Sequence, residues 1–198
     1  TIWWRRSGAP PTGRLGEDEA SLCYDEVAAS MPAAMDSCRP RWVDSPWDQS
    51  RAGAKLLQLA AATKLKVFVP QTIVTNSPSE ATSWAAGLGV PVVAKAISSG
   101  YGIAPYVDIV PVKEFERLRC FPTMLQELVP ANRDIRIVTI GDRSFAWERA
   151  RSLEDSPDWR RTDPSGSGFE PCAIPAAEAS SIEIARELGL TFSVQDWL

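Results

Sequence analysis

The sequence predicts an α/β fold of the α+β kind, in which antiparallel strand pairs and helices share one chain of 198 residues. Three stretches carry that prediction. Residues 122–129 and 134–140 read as strands, the first stopped by Pro130 and the second ended by Gly141-Asp142, a pair suited to a hairpin turn into a further strand over 144–147. Residues 48–63 place Ala52, Leu56, Leu59 and Thr63 at steps of three and four, the spacing of one helix face. Residues 91–97 form a short apolar run with one lysine in its middle, the pattern of a buried strand.

The other elements fall in order around these. Residues 1–4 are β-prone, and a Gly/Pro-rich loop follows Arg5-Arg6. Residues 17–31 form a helix with acidic residues at its start, where the helix dipole favours them, and Pro32 and Pro40 bracket a connection. A short apolar run at Arg41-Trp42-Val43 leads into a turn over 44–47. Extended segments over 67–70 and 72–75 precede Ser77-Pro78-Ser79-Glu80, where Ser77 caps a helix, proline takes its first position and Glu80 is placed to close a capping box. That helix ends at Gly87 or Gly89. Residues 111–118 form a short charged helix, 162–169 a mobile loop, 175–188 the last helix, and 192–198 a final strand with Asp196 on the same face as Phe192 and Val194. Neither end closes on a turn, so the sequence reads as a domain truncated at both termini.

Composition excludes several classes of function. A hydrophobic fraction of 44% and a charged fraction of 23% are those of an ordinary globular protein. No apolar run approaches the ~20 residues that span a bilayer. A net charge of -4 argues against broad nucleic-acid binding. Cys23, Cys38, Cys120 and Cys172 are scattered without zinc or disulfide spacing, and reduced thiols point to a cytoplasmic location. The chain has no histidine. That removes Ser-His-Asp and Cys-His nucleophile systems and imidazole bases, leaving carboxylates, Lys, Arg, backbone dipoles or an oxygen-ligated metal.

Polar residues in apolar strands mark the candidates. Gln126 and Glu127 close one strand, and Asp134 and Arg136, two apart, point to one face of the next. They belong either to a solvent-facing sheet edge or to a site. Lys95 lies within its strand just before Ser98-Ser99-Gly100-Tyr101-Gly102. An ammonium there is either a phosphate ligand beside a small-residue loop or a lysine of an edge strand. Lys55 reads on periodicity as a solvated residue of a helix flank, and Asp158-Trp159-Arg160 as a surface turn with the arginine stacked on the indole.

Several segments, taken in order, resemble the ATP-grasp superfamily: IWWRR near the start, AGAKLLQLAAATKLKVFVPQTIVTNSP, VVAK, MLQELVPANRDIRIVTIGDRSFA, DWRR, and LGLTFSVQDWL at the end. The resemblance is to its peptide-maturase branch, the ligases that cyclise ribosomal peptides of the microviridin or graspetide kind, relatives of ribosomal-protein glutamate ligase. It implies an ATP-grasp fold, two α/β subdomains gripping ATP between antiparallel sheets, with residues 1–75 ending the N-terminal and central region, 76–130 the small subdomain and 131–198 an incomplete C-terminal subdomain.

The same resemblance assigns roles. Lys55 and Lys95 would flank the nucleotide, with Lys95 against its phosphates. Gln126, Glu127, Leu128 and Val129 would form the hinge beside the adenine, and Asp134 would accept from the ribose hydroxyls. Arg136 and Arg160 would face the reacting phosphoryl group, and Asp196 would be a ligand of Mg²⁺. ATP would activate side-chain carboxylates of a ribosomal precursor peptide, leader plus core, as acyl phosphates that close into ester or amide rings. The helix from Glu17 and the hairpin at Gly141 would dock the leader, and the protein would act without nucleic acid or membrane, as a homodimer in one reading. Two departures stand out. The family's Glu-x-Asn strand is absent from these residues, and the loop after Lys95 is sparse in glycine. The alternatives are a ligase adding a free amino acid to a protein or metabolite, and a nucleotide-binding module without catalysis.

Overall fold

The computed structural model describes residues 1–4, 10–97, 106–152 and 154–198. Arg5-Arg6 and the loop at Ser98 to Gly102, both read above, lie outside the described residues. Two four-stranded antiparallel sheets organise the rest. The first runs β3 (Thr72–Thr75), β6 (Thr123–Glu127), β4 (Val92–Lys95), β5 (Asp108–Ile109) in spatial order. The second runs β10 (Phe192–Trp197), β7 (Arg133–Ile140), β8 (Arg143–Ala150), β9 (Glu170–Cys172). A third, parallel pair joins β1 (Ile2–Trp3) to β2 (Trp42–Val43).

Each large sheet packs one face against helices. In the first, Leu125, Val92 and Ile73 pack against α4 (Pro78–Leu88) through Ala81 and against a 3-10 helix (Val112–Cys120) through Phe115 and Leu118. Strand alternation therefore turns Lys95, Met124 and Gln126 to the opposite face. In the second, Ile135, Ile137 and Ala146 pack under α6 (Pro175–Glu187) with Ile174 and Ala177. Alternation turns Asp134 and Arg136 of β7, Trp147 and Arg149 of β8 and Asp196 of β10 the other way. Gly141 turns the β7–β8 hairpin at φ 62°, a left-handed conformation that glycine adopts without steric cost.

Several expectations are corrected. The helix over 48–63 is two helices, α2 (Pro46–Gly53) and α3 (Lys55–Lys64), separated by an extended Ala54 with φ -71° and ψ 107°. Gly53 weakens the helix there, and the Gln58 side-chain amide donates to the carbonyl of Ala52 at 2.7 Å across the break. Ser45 is the cap of α2 rather than part of an isolated turn, its hydroxyl accepting from the Asp48 N–H at 3.1 Å. Helix α1 (Glu17–Ser37) continues through Pro32 instead of stopping there. The proline is the helix's buried residue, and the turn before it is exposed at Ala28, so water can take the carbonyl the ring leaves without a donor.

Two smaller readings change as well. Glu80 leaves the capping box open because its carboxylate is engaged by the Thr75 hydroxyl. The loop expected to be mobile over 162–169 is drawn around Asp163, which accepts from the N–H groups of Gly168 at 2.8 Å and Ser167 at 3.2 Å. Among the described residues, no helix is long and apolar enough to cross a membrane.

Candidate functional site

The two sheet faces turned away from their helices bring charged residues within electrostatic reach of one another. On the first side, Lys95 ends β4 on the face away from the helices, and Lys55, freed at the start of α3 by the break at Ala54, donates from Nζ to the carbonyl of Ala96, the residue after Lys95. The sequence places these lysines forty residues apart; the kink at Ala54 makes them neighbours. Burial lowers the pKa of Lys95, and the charge of Lys55 lowers it further, against the pull of Asp158 and Asp196. Burial likewise lowers the pKa of Lys55, helped by Arg160. Two ammonium groups and a guanidinium that disfavour one another's charge make a site short of anions.

On the second side stand Arg136, Arg160 and Asp196. Arg136 and Asp196 are directly opposed on β7 and β10, with Nε 3.6 Å from the carboxylate, and the Arg136 guanidinium lies 5.0 Å from the centre of the Trp159 ring. The surface-turn reading stacks Arg160 on Trp159; the structure places Arg136 over that ring. Asp196 keeps 56% of its side-chain accessibility. Desolvation by the surrounding protein pushes its carboxyl above the usual carboxylate range, although Arg136, Trp159 and Arg160 each pull it down.

Arg160 is held by Asp158. Its Nε donates to Oδ1 at 2.8 Å and its Nη2 to Oδ2 at 2.5 Å. Asp158 is 4% exposed and caps α5 (Trp159–Thr162), accepting from the Arg160 N–H at 3.1 Å. Burial works against its ionisation, but the hydrogen bonds from Arg160 and from the backbone N–H groups of Val107 and Arg160 outweigh it and hold the carboxyl below its ordinary value.

The remaining candidates have definite places. Gln126 is buried on the same face as Lys95 and donates its amide to the Thr72 hydroxyl at 2.9 Å. The Glu127 carboxylate takes the Gln71 N–H at 2.9 Å, so this N–H does not go to the Glu127 carbonyl. Leu128 N–H donates to the Pro91 carbonyl at 2.8 Å, whereas the Val129 N–H has no partner among the described residues. Asp134 is 5% exposed and is engaged by Arg149 at 2.8 Å and Arg151 at 3.6 Å. It lies beside Arg136 on the cleft face, but in a closed ion cluster.

Sequence reasoning missed Asp158, Arg149, Arg151 and Tyr106 as site residues. Asp158 carried a usable signal, an Asp-x-Arg at a helix start. Arg149 carried none until the register set it opposite Asp134.

No protein-family model matches the chain. The RiPP-associated ATP-grasp ligase of Chryseobacterium gregarium, solved with ADP and a leader and core peptide, superposes with a TM-score of 0.83 over 98% of this chain and 63% of its own, at 22% identity. The chain has the ATP-grasp fold. The macrocyclase MdnC of Microcystis aeruginosa MRC, bound to its precursor peptide MdnA, gives a TM-score of 0.80 over 98% of this chain and 64% of its own, at 23% identity. In sequence, the chain is 31% identical over 130 residues to the alpha-aminoadipate–LysW ligase LysX of Sulfurisphaera tokodaii, a match covering 61% of this chain and 45% of LysX. The chain therefore spans less than half the length of that curated relative.

Proposed function

We propose that this protein is an ATP-dependent ligase that activates side-chain carboxylates of a ribosomal precursor peptide as acyl phosphates and closes them into ester or amide rings. The observation that carries the reading is the meeting of Lys95 from one sheet and Lys55 from the start of α3 with Arg136 and Asp196 from the other sheet and Arg160 from α5. Four cations against one accessible carboxylate suit a polyphosphate chain. The peptide partner is suggested by the two similar structures, both of them ligases with precursor peptides bound.

The chemistry follows from charge placement. A carboxylate is a poor electrophile, so a peptide carboxylate oxygen attacks the γ-phosphorus of ATP, the bond to the β–γ bridging oxygen breaks, and ADP leaves. A hydroxyl or amine of the same peptide then attacks the acyl carbon, loses its proton and expels inorganic phosphate. Lys95, Arg136 and Arg160 stabilise both steps by standing where negative charge collects, a preorganised electrostatic contribution that needs no histidine. The hinge over 126–129 orients the adenine, with the unpaired Val129 N–H available to its edge. Asp134 supports the ribose end.

Asp196 fits one position of a Mg²⁺ shell, being an accessible hard oxygen ligand with a raised pKa that a cation would reverse. Mg²⁺ takes one or two carboxylates together with phosphate oxygens and waters, so a single aspartate supplies part of what it needs. Bound there, the ion would neutralise β and γ oxygens.

The test is the mass of the peptide encoded beside the gene after incubation with the protein, ATP and Mg²⁺. Macrocyclisation removes one water per ring. The likeness to LysX favours a second reading, ligation of a free amino acid to a protein or metabolite, and that outcome adds mass instead.

A further inference from the structure

Resting on the nucleotide reading above, we propose that Asp158 is the positioning residue that presents Arg160 to the phosphates of bound nucleotide, and that it does so by clasping the two sides of the cleft together. Its carboxylate is saturated. Oδ1 accepts from the Arg160 backbone N–H at 3.1 Å and from Arg160 Nε at 2.8 Å, and Oδ2 accepts from Arg160 Nη2 at 2.5 Å and from the Val107 N–H at 2.9 Å. A carboxylate offers about four acceptor sites, and all four are taken. Asp158 is also 4% exposed. It therefore has no lone pair left for a metal, a ribose or a substrate proton, and acts through the groups it holds.

What it holds comes from both sides. Arg160 stands on the second sheet's side of the cleft; Val107 leads directly into β5, next to β4 and Lys95 in the first sheet. The join is reinforced by its neighbours. Arg161 pairs with Asp108 at 2.8 and 3.0 Å, and the guanidinium groups of Arg161 and Arg160 lie 4.2 and 5.3 Å from the centre of the Tyr106 ring. Residues 106–108 are thus gripped by residues 158–161 through one buried carboxylate, one ion pair and a ring between two cations. Because the same carboxylate fixes Arg160 and meets Val107, Arg160 is aimed only while the first sheet is in place. Closing the cleft and orienting the cation become one event.

The experiment is a double-mutant cycle on ATP affinity, read by titration calorimetry with ATP and MgCl₂ in the wild type, Asp158→Asn, Arg160→Lys and the double variant. An amide at 158 replaces two acceptor sites with donors that face Arg160 or Val107, while shape is kept. Asp158→Asn is expected to weaken ATP binding by about tenfold in the wild-type background and by less than about twofold when Arg160 is already lysine, since residues acting as a unit are not additive. Equal losses in both backgrounds, or no loss in either, overturn the proposal. A wild-type protein that binds no ATP overturns the functional reading itself and is seen without any variant. Should Asp158→Asn unfold, the NMR signal of Arg160 Nε–H in the wild type decides. Slow exchange with water and a shift on adding ATP support the proposal; an averaged, ATP-insensitive signal overturns it.

Discussion

Replacing Lys95 with methionine removes one charge from the cleft while keeping an unbranched side chain in β4. A lysine about 4 Å from one phosphate charge gains roughly 4 kcal/mol at an effective dielectric of about 20, before desolvation. In this structure burial, and then the charge of Lys55, already disfavour the charged form of Lys95 in the free protein. Much of the desolvation cost is therefore met at folding rather than at binding. A net contribution of about 2 kcal/mol is expected to survive, so Lys95→Met should raise the Kd for ATP roughly 30-fold. The same substitution relieves a buried cation, which should stabilise the free protein by about 1 kcal/mol and raise Tm by roughly 2–4 °C. Calorimetry with ATP and MgCl₂ gives the first quantity and thermal unfolding of the free protein the second. Unchanged affinity, or a lower Tm accompanying the lost binding, would make Lys95 a lysine of the fold and refute the reasoning.

Three further outcomes follow from the charges. Between the lowered pKa values of Lys55 and Lys95 and those they regain against phosphate, the free protein holds fewer protons than the complex, so ATP affinity should fall as pH rises through that window and be flat below it. Stability of the free protein should move the other way, because between the lowered values and the ordinary 10.5 the unfolded chain binds more protons; parallel titrations of Kd and Tm check both. Asp134→Ala leaves Arg149 and Arg151 buried beside no anion, which costs about 3–5 kcal/mol and lowers Tm by on the order of 10 °C; a Tm within a degree or two of the wild type would show that the cluster carries no stability. Asp196→Asn should abolish the gain in ATP affinity that Mg²⁺ brings while leaving metal-free binding within about threefold, a modest change because the lost charge is partly solvated; retention of the Mg²⁺ effect would exclude Asp196 as a ligand.

The longer strands and the β7–β8 hairpin are legible because their signals are local. Pro130 and Gly141-Asp142 mark ends that the chain honours, and the two-residue period put Asp134 and Arg136 on one face. Position 54 was not legible. Ala54 is a good helix former, and what rewards breaking the helix there is the glycine before it, the Gln58 amide on the Ala52 carbonyl and the bond from Lys55 to Ala96, made across 41 residues. Proline 32 misled in the opposite direction, since an exposed turn can spare one hydrogen bond to water.

The site was legible in its cations and not in what holds them. Lys95 and Arg136 drew notice as charges in apolar strands, which is a property of sequence. That Asp134 meets Arg149 depends on hairpin register, and that Asp158 meets Val107 depends on how two sheets approach. Trp159 shows the same limit. Adjacency in sequence pairs it with Arg160, whereas the sheet brings Arg136 over its ring, and Arg160 reaches Asp158 and Tyr106.

The central claim is that a peptide carboxylate is activated by phosphoryl transfer within this cleft. The most direct measurement labels the carboxylates of the precursor peptide with heavy oxygen, supplies ATP and Mg²⁺, and weighs the phosphate released. Passage through an acyl phosphate predicts one labelled oxygen in phosphate for each ring closed. Label appearing in AMP, or rings closing with unlabelled phosphate, would contradict it.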